Sequence, residues 1–214
     1  MIITYYDDMK LTIFGASGRT GRLVVAQALE RGDAVTAVLR RPATDADPRL
    51  TVHVVRDLSD TAALRAAIEG ADAVLSAIGP RSRKDAPVAG PATRHILTAE
   101  PGRLVVISAA PVEPPPADDG FLSRRIALPL VGRILRPVYD DLREMEAALR
   151  ASSAAWTALR PPTLTDRAAT GRYRTRIGGS VPRGFTVSRG DLAAGMLDCL
   201  GRPETIREAV GIAG

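Results

Sequence analysis

Gly15, Gly18 and Gly21 recur at three-residue spacing in "LTIFGASGRTG", between an apolar run and a stretch of helical character. Glycines so placed serve distinct ends. The first lets the chain turn sharply out of a strand. The second lets a pyrophosphate approach the backbone with no Cβ in the way, and the third lets the following helix pack close on the sheet. The helix start adds unpaired N–H groups and a partial positive charge. Ser17 and Thr20 lie in the same turn and can add hydroxyl donors. The pattern predicts a dinucleotide site; a glycine turn without a ligand is the alternative. The next apolar run ends in "VLRRP". Where a chain that holds an unphosphorylated ribose carries an acid, Arg40 and Arg41 stand. A guanidinium matches a 2′-phosphate in charge and fork geometry, and Arg19 can reach the same group. The expectation is NADP(H) rather than NAD(H), with solvated surface arginines as the alternative reading.

These residues need a frame, and the chain supplies one in alternation. Leu11–Phe14, Asp33–Leu39, Leu50–Val55, "ADAVLSAIG", "GRLVVISA" and "AAWTALR" read as six strands. Between them lie helices at Arg19–Arg31, stopped by Gly32, and at "LSDTAALRAAIEG", capped by Ser59 or Asp60 and stopped by Gly70. Others run from about Pro87 to Ala99 and from Pro137 to about Arg150. A last helix, "SRGDLAAGMLDCLG", has Ser188 and Asp191 as a capping pair. Strand–helix alternation of this kind implies an α/β fold, a single Rossmann-like, doubly wound, mostly parallel sheet with helices on both faces. Its ligands bind beyond the carboxyl ends of the strands. The expected organisation is an extension at residues 1–9 and one domain over 10–214. Residues 109–137 form a lid or substrate segment, rich in proline at its start and apolar from Phe121 to Leu135.

Composition narrows the classes. With 45% hydrophobic and 25% charged residues the chain is an ordinary globular one. Its longest apolar candidate, Ile126–Leu135, is interrupted by Pro129 and Arg133 and falls short of the ~20 residues a membrane span needs. "MIITYYDDMK" lacks the basic start and apolar core of a signal peptide. One cysteine, Cys199, in an apolar helical stretch, reads as a buried inert thiol in a reducing, cytoplasmic protein. Net charge is +5, carried by scattered arginines with few aromatics, so a nucleic-acid surface is not expected. Lys10 and Lys84 are the only lysines; arginine-rich, alanine-rich composition points to a GC-rich bacterial genome. No metal-ligand cluster is present, and His53 and His95 read as structural.

Taken together, "FGASGRTGRLVV", "VRDLSDTAALRAAIEGADAVLSAIGP", "LVVISA" and "TALRPPTLTD" resemble the NAD(P)H-binding atypical short-chain dehydrogenase/reductases. The group is the NmrA-like one that includes proteins similar to flavin reductase/biliverdin reductase B. The resemblance spans roughly residues 10–214 and implies further positions. Asp57 and Leu58 would flank the adenine. Ala77, Ile78 and Gly79 would line the ribose and pyrophosphate, with Arg81 assisting at the 2′-phosphate. Ser108 would sit near the nicotinamide as a hydrogen-bond donor to its carboxamide or to substrate. Pro161, Pro162 and Thr163 would pack on the nicotinamide and orient its carboxamide through backbone groups.

The superfamily's usual Y-x-x-x-K is replaced by Tyr139-Asp140-Asp141-Leu142-Arg143. Tyr139 and Arg143 share a helix face, and a nearby cation with the helix start would favour tyrosinate. Asp140 and Asp141 would oppose it, and Arg143 cannot relay a proton as lysine can. Alternatively Tyr139, Arg143, Glu146 and Arg150 are merely the polar stripe beside Val138, Leu142, Met145 and Leu149. The leading expectation is an NADPH-dependent reductase of a planar apolar or aromatic carbonyl, quinone or flavin. The alternatives are a non-catalytic NADP(H) redox sensor and a nicotinamide-dependent epimerase or isomerase. The apolar lid leaves a homodimer possible.

Overall fold

Short apolar runs that end in glycine or turn residues cannot bury themselves as isolated helices; side by side they make a sheet covered on both faces. The computed structural model describes residues 8–42, 47–80, 82, 85, 87–112 and 135–214. Its strands are β1 (Lys10–Phe14), β2 (Ala34–Leu39), β3 (Leu50–Val54), β4 (Ala73–Ser76), β5 (Arg103–Ile107) and β6 (Ala155–Arg160). Four further strands follow: β7 (Thr163–Thr165), β8 (Arg174–Ile177), β9 (Thr186–Ser188) and β10 (Glu208–Ala213). The helices are α1 (Arg19–Arg31), α2 (Thr61–Ile68), α3 (Ala89–Thr98), α4 (Arg136–Ala151) and α5 (Arg189–Asp198).

The main sheet has the order β3-β2-β1-β4-β5-β6-β10-β8, with β7 and β9 paired separately. Every ladder in it is parallel except β10 with β8. The chain winds outward from β1 to β3, then returns to β4 on the other side of β1. This is the doubly wound, Rossmann-like arrangement, with its switch point between β1 and β4. The six expected strands and five expected helices are all present, with ends shifted by up to three residues. Strands β7 to β10 were not anticipated.

Two apolar clusters lie on opposite faces of the sheet. Leu11, Ile13, Val35, Leu75 and Leu159 pack with Val24 of α1 and Leu192 and Met196 of α5. Phe14, Val38, Val74, Leu104 and Trp156 pack with Leu64 of α2, Ile96 of α3, and Leu142, Met145 and Leu149 of α4. The central strand β4 is buried along its whole length, as a strand covered on both faces must be. At the β8 edge Arg174 and Arg176 are exposed, charges that discourage pairing with another chain.

A coenzyme site at the switch point

The glycine turn joins β1 to α1, and each glycine meets a different constraint. Gly15 has φ +73°, and a Cβ there would lie 2.8 Å from the Ala77 carbonyl carbon and 2.9 Å from the Ile78 nitrogen. So the turn rests directly on the peptide that follows β4, a closeness only glycine permits. At Gly21 a Cβ would stand 2.1 Å from the Gly15 carbonyl oxygen, so glycine lets α1 start tight against the strand end. Gly18 differs: its nearest obstacle is the Gly15 oxygen at 3.1 Å. It is exposed, and no side chain caps the helix it begins. The first N–H groups of α1 have no intrahelical acceptor, and a Cβ at Gly18 would crowd the space in front of them. That cradle fits a pyrophosphate. Ser17 and Arg19 are exposed beside it, whereas Thr20 is buried.

Arg19 does not turn toward the end of β2. It ion-pairs with Asp166, just past β7, whose other oxygen takes a 2.6 Å bond from Arg189 at the start of α5. In this structure its guanidinium ties the turn to the segment after β7. Arg40 and Arg41 follow β2 directly and are exposed, where a ribose phosphate would lie in this topology. Asp57 follows β3, and its carboxylate accepts the Ser59 N–H at 2.9 Å, which holds its pKa below the ordinary value. Leu58 is half-buried beside it. Ala77 donates its N–H to the Phe14 carbonyl at 3.0 Å, which aligns Ala77, Ile78 and Gly79 past β4. Gly79 has open space where a Cβ would go. Arg81 and most of the expected lid, residues 113–134, lie outside the described residues.

At the ends of β5 and β6 the structure assembles a group that the sequence reading did not identify. Ser108 is buried, and its N–H bonds the Leu159 carbonyl at 2.7 Å. Its hydroxyl donates to Glu146 Oε1 at 2.7 Å. Arg160, 1% exposed, grips the same carboxylate through Nε at 2.8 Å and Nη2 at 2.5 Å, and Arg150 adds a 2.8 Å bond. Burial alone would raise the Glu146 pKa. The hydrogen bonds from Arg160 and Ser108 and the two guanidinium charges outweigh it and hold the carboxylate below its ordinary value. Thus Ser108, expected as a hydrogen-bond donor to the carboxamide or to substrate, is here a hydroxyl whose proton is engaged by Glu146. The signal in the sequence was Glu146 on the polar stripe of α4; a stripe does not reveal that a buried arginine waits opposite.

The surroundings of Tyr139 differ from those that would favour tyrosinate. Tyr139 is 7% exposed within the core, and burial raises its pKa rather than favouring tyrosinate. Arg143 is half-exposed and pairs with Asp140 at 2.6 Å, while its Nε donates to the Val112 carbonyl at 3.3 Å. Asp141 accepts the N–H groups of Val88, Ala89 and Gly90 at 2.8, 2.9 and 2.7 Å and so caps α3 from α4. Past β6, the Pro161 carbonyl accepts the Ala110 N–H at 2.8 Å and the Thr163 N–H donates to the Phe185 carbonyl at 3.2 Å. Two of the backbone groups expected to orient a carboxamide are thus already bonded; Pro162 has no N–H to offer. Cys199 is buried and its thiol is pushed up to about 11, which leaves it inert. Among the described residues no group of acids, histidines and cysteines could hold a metal, and no helix is long and apolar enough to cross a membrane.

Fold and turn define a nucleotide-binding protein of the Rossmann class. The chain belongs to the NAD(P)H-binding family, whose sequence model matches residues 15–203. Solved structures share the whole fold. SP1627 of Streptococcus pneumoniae, provisionally assigned as an NADH-flavin reductase, is 22% identical with a TM-score of 0.79, covering 96% of this chain and 99% of its own. A short-chain dehydrogenase/reductase of Veillonella parvula, solved with NADP, is 19% identical at 0.75, covering 96% and 94%. The anaerobilin reductase ChuY of Escherichia coli O157:H7 is 23% identical at 0.72, covering 95% and 96%.

Proposed function

We propose that the protein is an NADPH-dependent reductase that passes hydride to a planar apolar or aromatic acceptor such as a quinone, flavin or aromatic carbonyl. The observation that carries this reading is the turn at Gly18, open in front of an uncapped helix start, with Arg40 and Arg41 beyond the next strand. The α1 amides hold the pyrophosphate, the two arginines hold the 2′-phosphate, and the ends of β4, β5 and β6 receive the nicotinamide. The coenzyme, when bound, supplies the hydride. The chain's own residues position it; the Ser108 proton is directed at Glu146, so acceptors that take their proton from water suit the site. Such a reductase would act on a small molecule, without nucleic acid or membrane. Its expected home is the cytoplasm of a bacterium, and the apolar sequence from Phe121 to Leu135 suits a homodimer.

Incubation with NADPH and a panel of quinones, flavins and aromatic ketones, followed at the nicotinamide absorbance, tests the reading. Oxidation with at least one class supports it. The engaged Ser108 hydroxyl favours one second reading, a redox sensor that binds NADP(H) without turnover. Oxidation with no acceptor, together with clearly different affinities for NADPH and NADP⁺, would select that one. An epimerase or isomerase would instead keep its nicotinamide through purification.

A further inference from the structure

We propose that Glu146, locked by Arg160, is a positioning residue that turns Ser108 into a hydrogen-bond acceptor for the nicotinamide carboxamide. The inference rests on the coenzyme reading above. A serine hydroxyl has one proton and two lone-pair positions, and an ionised carboxylate can only accept. Ser108 is fixed just past β5 by its N–H bond to Leu159, and its proton is directed at Glu146 Oε1, 2.7 Å away. Glu146 cannot yield: it is fully buried, and Arg160 and Arg150 hold both of its oxygens. Bonds to a charged acceptor are the stronger kind, so Ser108 does not rotate to donate elsewhere. What it can present to a ligand is oxygen.

The carboxamide carries both an NH₂ group and a carbonyl. Nearby, the Pro161 carbonyl already accepts from Ala110 and the Thr163 N–H already donates to Phe185. The Thr163 N–H is thus spent, and the Ser108 oxygen, which donates to Glu146 and keeps both lone pairs, is the acceptor we assign to the carboxamide N–H. The same arrangement denies Ser108 the role of proton donor to a reduced substrate. Arg160 acts through Glu146 and Glu146 through Ser108; neither needs to touch the coenzyme.

The test compares NADP⁺ with its 3-acetylpyridine analogue, which keeps the carbonyl and replaces the NH₂ by methyl. Titration of wild-type protein should show NADP⁺ bound about three- to tenfold more tightly, the worth of one ordinary hydrogen bond. S108A should bind the two ligands alike. E146Q should also lose the preference: its amide oxygen takes the Oε2 position, where Arg160 Nη2 and Arg150 both donate, and leaves NH₂ at the position that Ser108 shares with Arg160 Nε, which frees the serine proton. A Ser108 with a merely structural role would leave the ratio unmoved in both variants. Equal binding of the two ligands by wild type, or a preference that survives in S108A, overturns the inference while leaving the coenzyme reading intact. No binding of either ligand overturns both. If E146Q does not fold, wild type and S108A still decide.

Discussion

Tyr139 and Glu146 lie two turns apart on α4 and exchange the importance their residue types suggest. Tyr139 looked like a proton donor, yet burial raises its pKa and its neighbour Arg143 is engaged with Asp140. Tyr139→Phe should therefore leave kcat within about twofold for any acceptor that is turned over, whereas loss of a real general acid costs ~10²-fold or more. Glu146 looked like one member of a polar stripe and is the buried partner of Arg160. Glu146→Ala would strand that guanidinium and should destabilise the fold by about 3–5 kcal/mol, read from denaturant unfolding. The folded-state pKa of Glu146 lies below its unfolded value of about 4.3. Its contribution to stability is thus fully present above that pH and is lost as pH falls through the folded pKa. Unfolding titrations from pH 6 down to pH 3 should show a shallower loss in E146Q than in wild type. At the coenzyme's other end, Arg40→Asp should weaken NADPH binding by about 10- to 100-fold and leave NADH nearly unchanged, as loss of a charge-assisted bond dictates. Gly15 and Gly21 were legible because the turn itself demands their type. Glu146, Arg160 and the true partner of Arg19 were not, because each is defined by a contact between residues far apart in sequence.

At the scale of elements, the β1–α1 turn separates what packing needs from what binding needs. Gly21→Ala would drive a Cβ into the Gly15 carbonyl and should lower the melting temperature markedly. Gly18→Ala faces one oxygen at 3.1 Å; its melting temperature should stay close to wild type while coenzyme affinity falls. Thermal melts with and without NADPH distinguish the two, and equal effects would contradict the assignment. Helix α3 depends on α4 for its start, because Asp141 accepts three of its amides. The sequence suggested Asp141 as a charge opposing Tyr139, since nothing local shows which helix a carboxylate will cap. The long periodic elements were readable from their apolar pattern and stops. Strands β7 and β9 have three residues each, too few to show a period, and β8 alternates arginine with threonine and isoleucine. These strands exist because partners are already in place to pair with them.

Among the described residues the winding of the main sheet reverses between β1 and β4, and the glycine turn lies at that reversal. That coincidence was foreseeable, since strand–helix alternation fixes the direction of the sheet and gathers every βα turn at the carboxyl ends. Which small molecule meets the nicotinamide is written in side chains from several distant loops, and no local pattern encodes it. A ligand that binds the folded state alone raises its stability by about 2.7 kcal/mol at a hundredfold excess over Kd. The most direct measurement is calorimetric titration of the folded protein with NADPH, NADP⁺ and NADH. Uptake of one equivalent of NADPH, at least tenfold tighter than NADH, is the expected result. Heat of dilution alone with all three would contradict the account at its root.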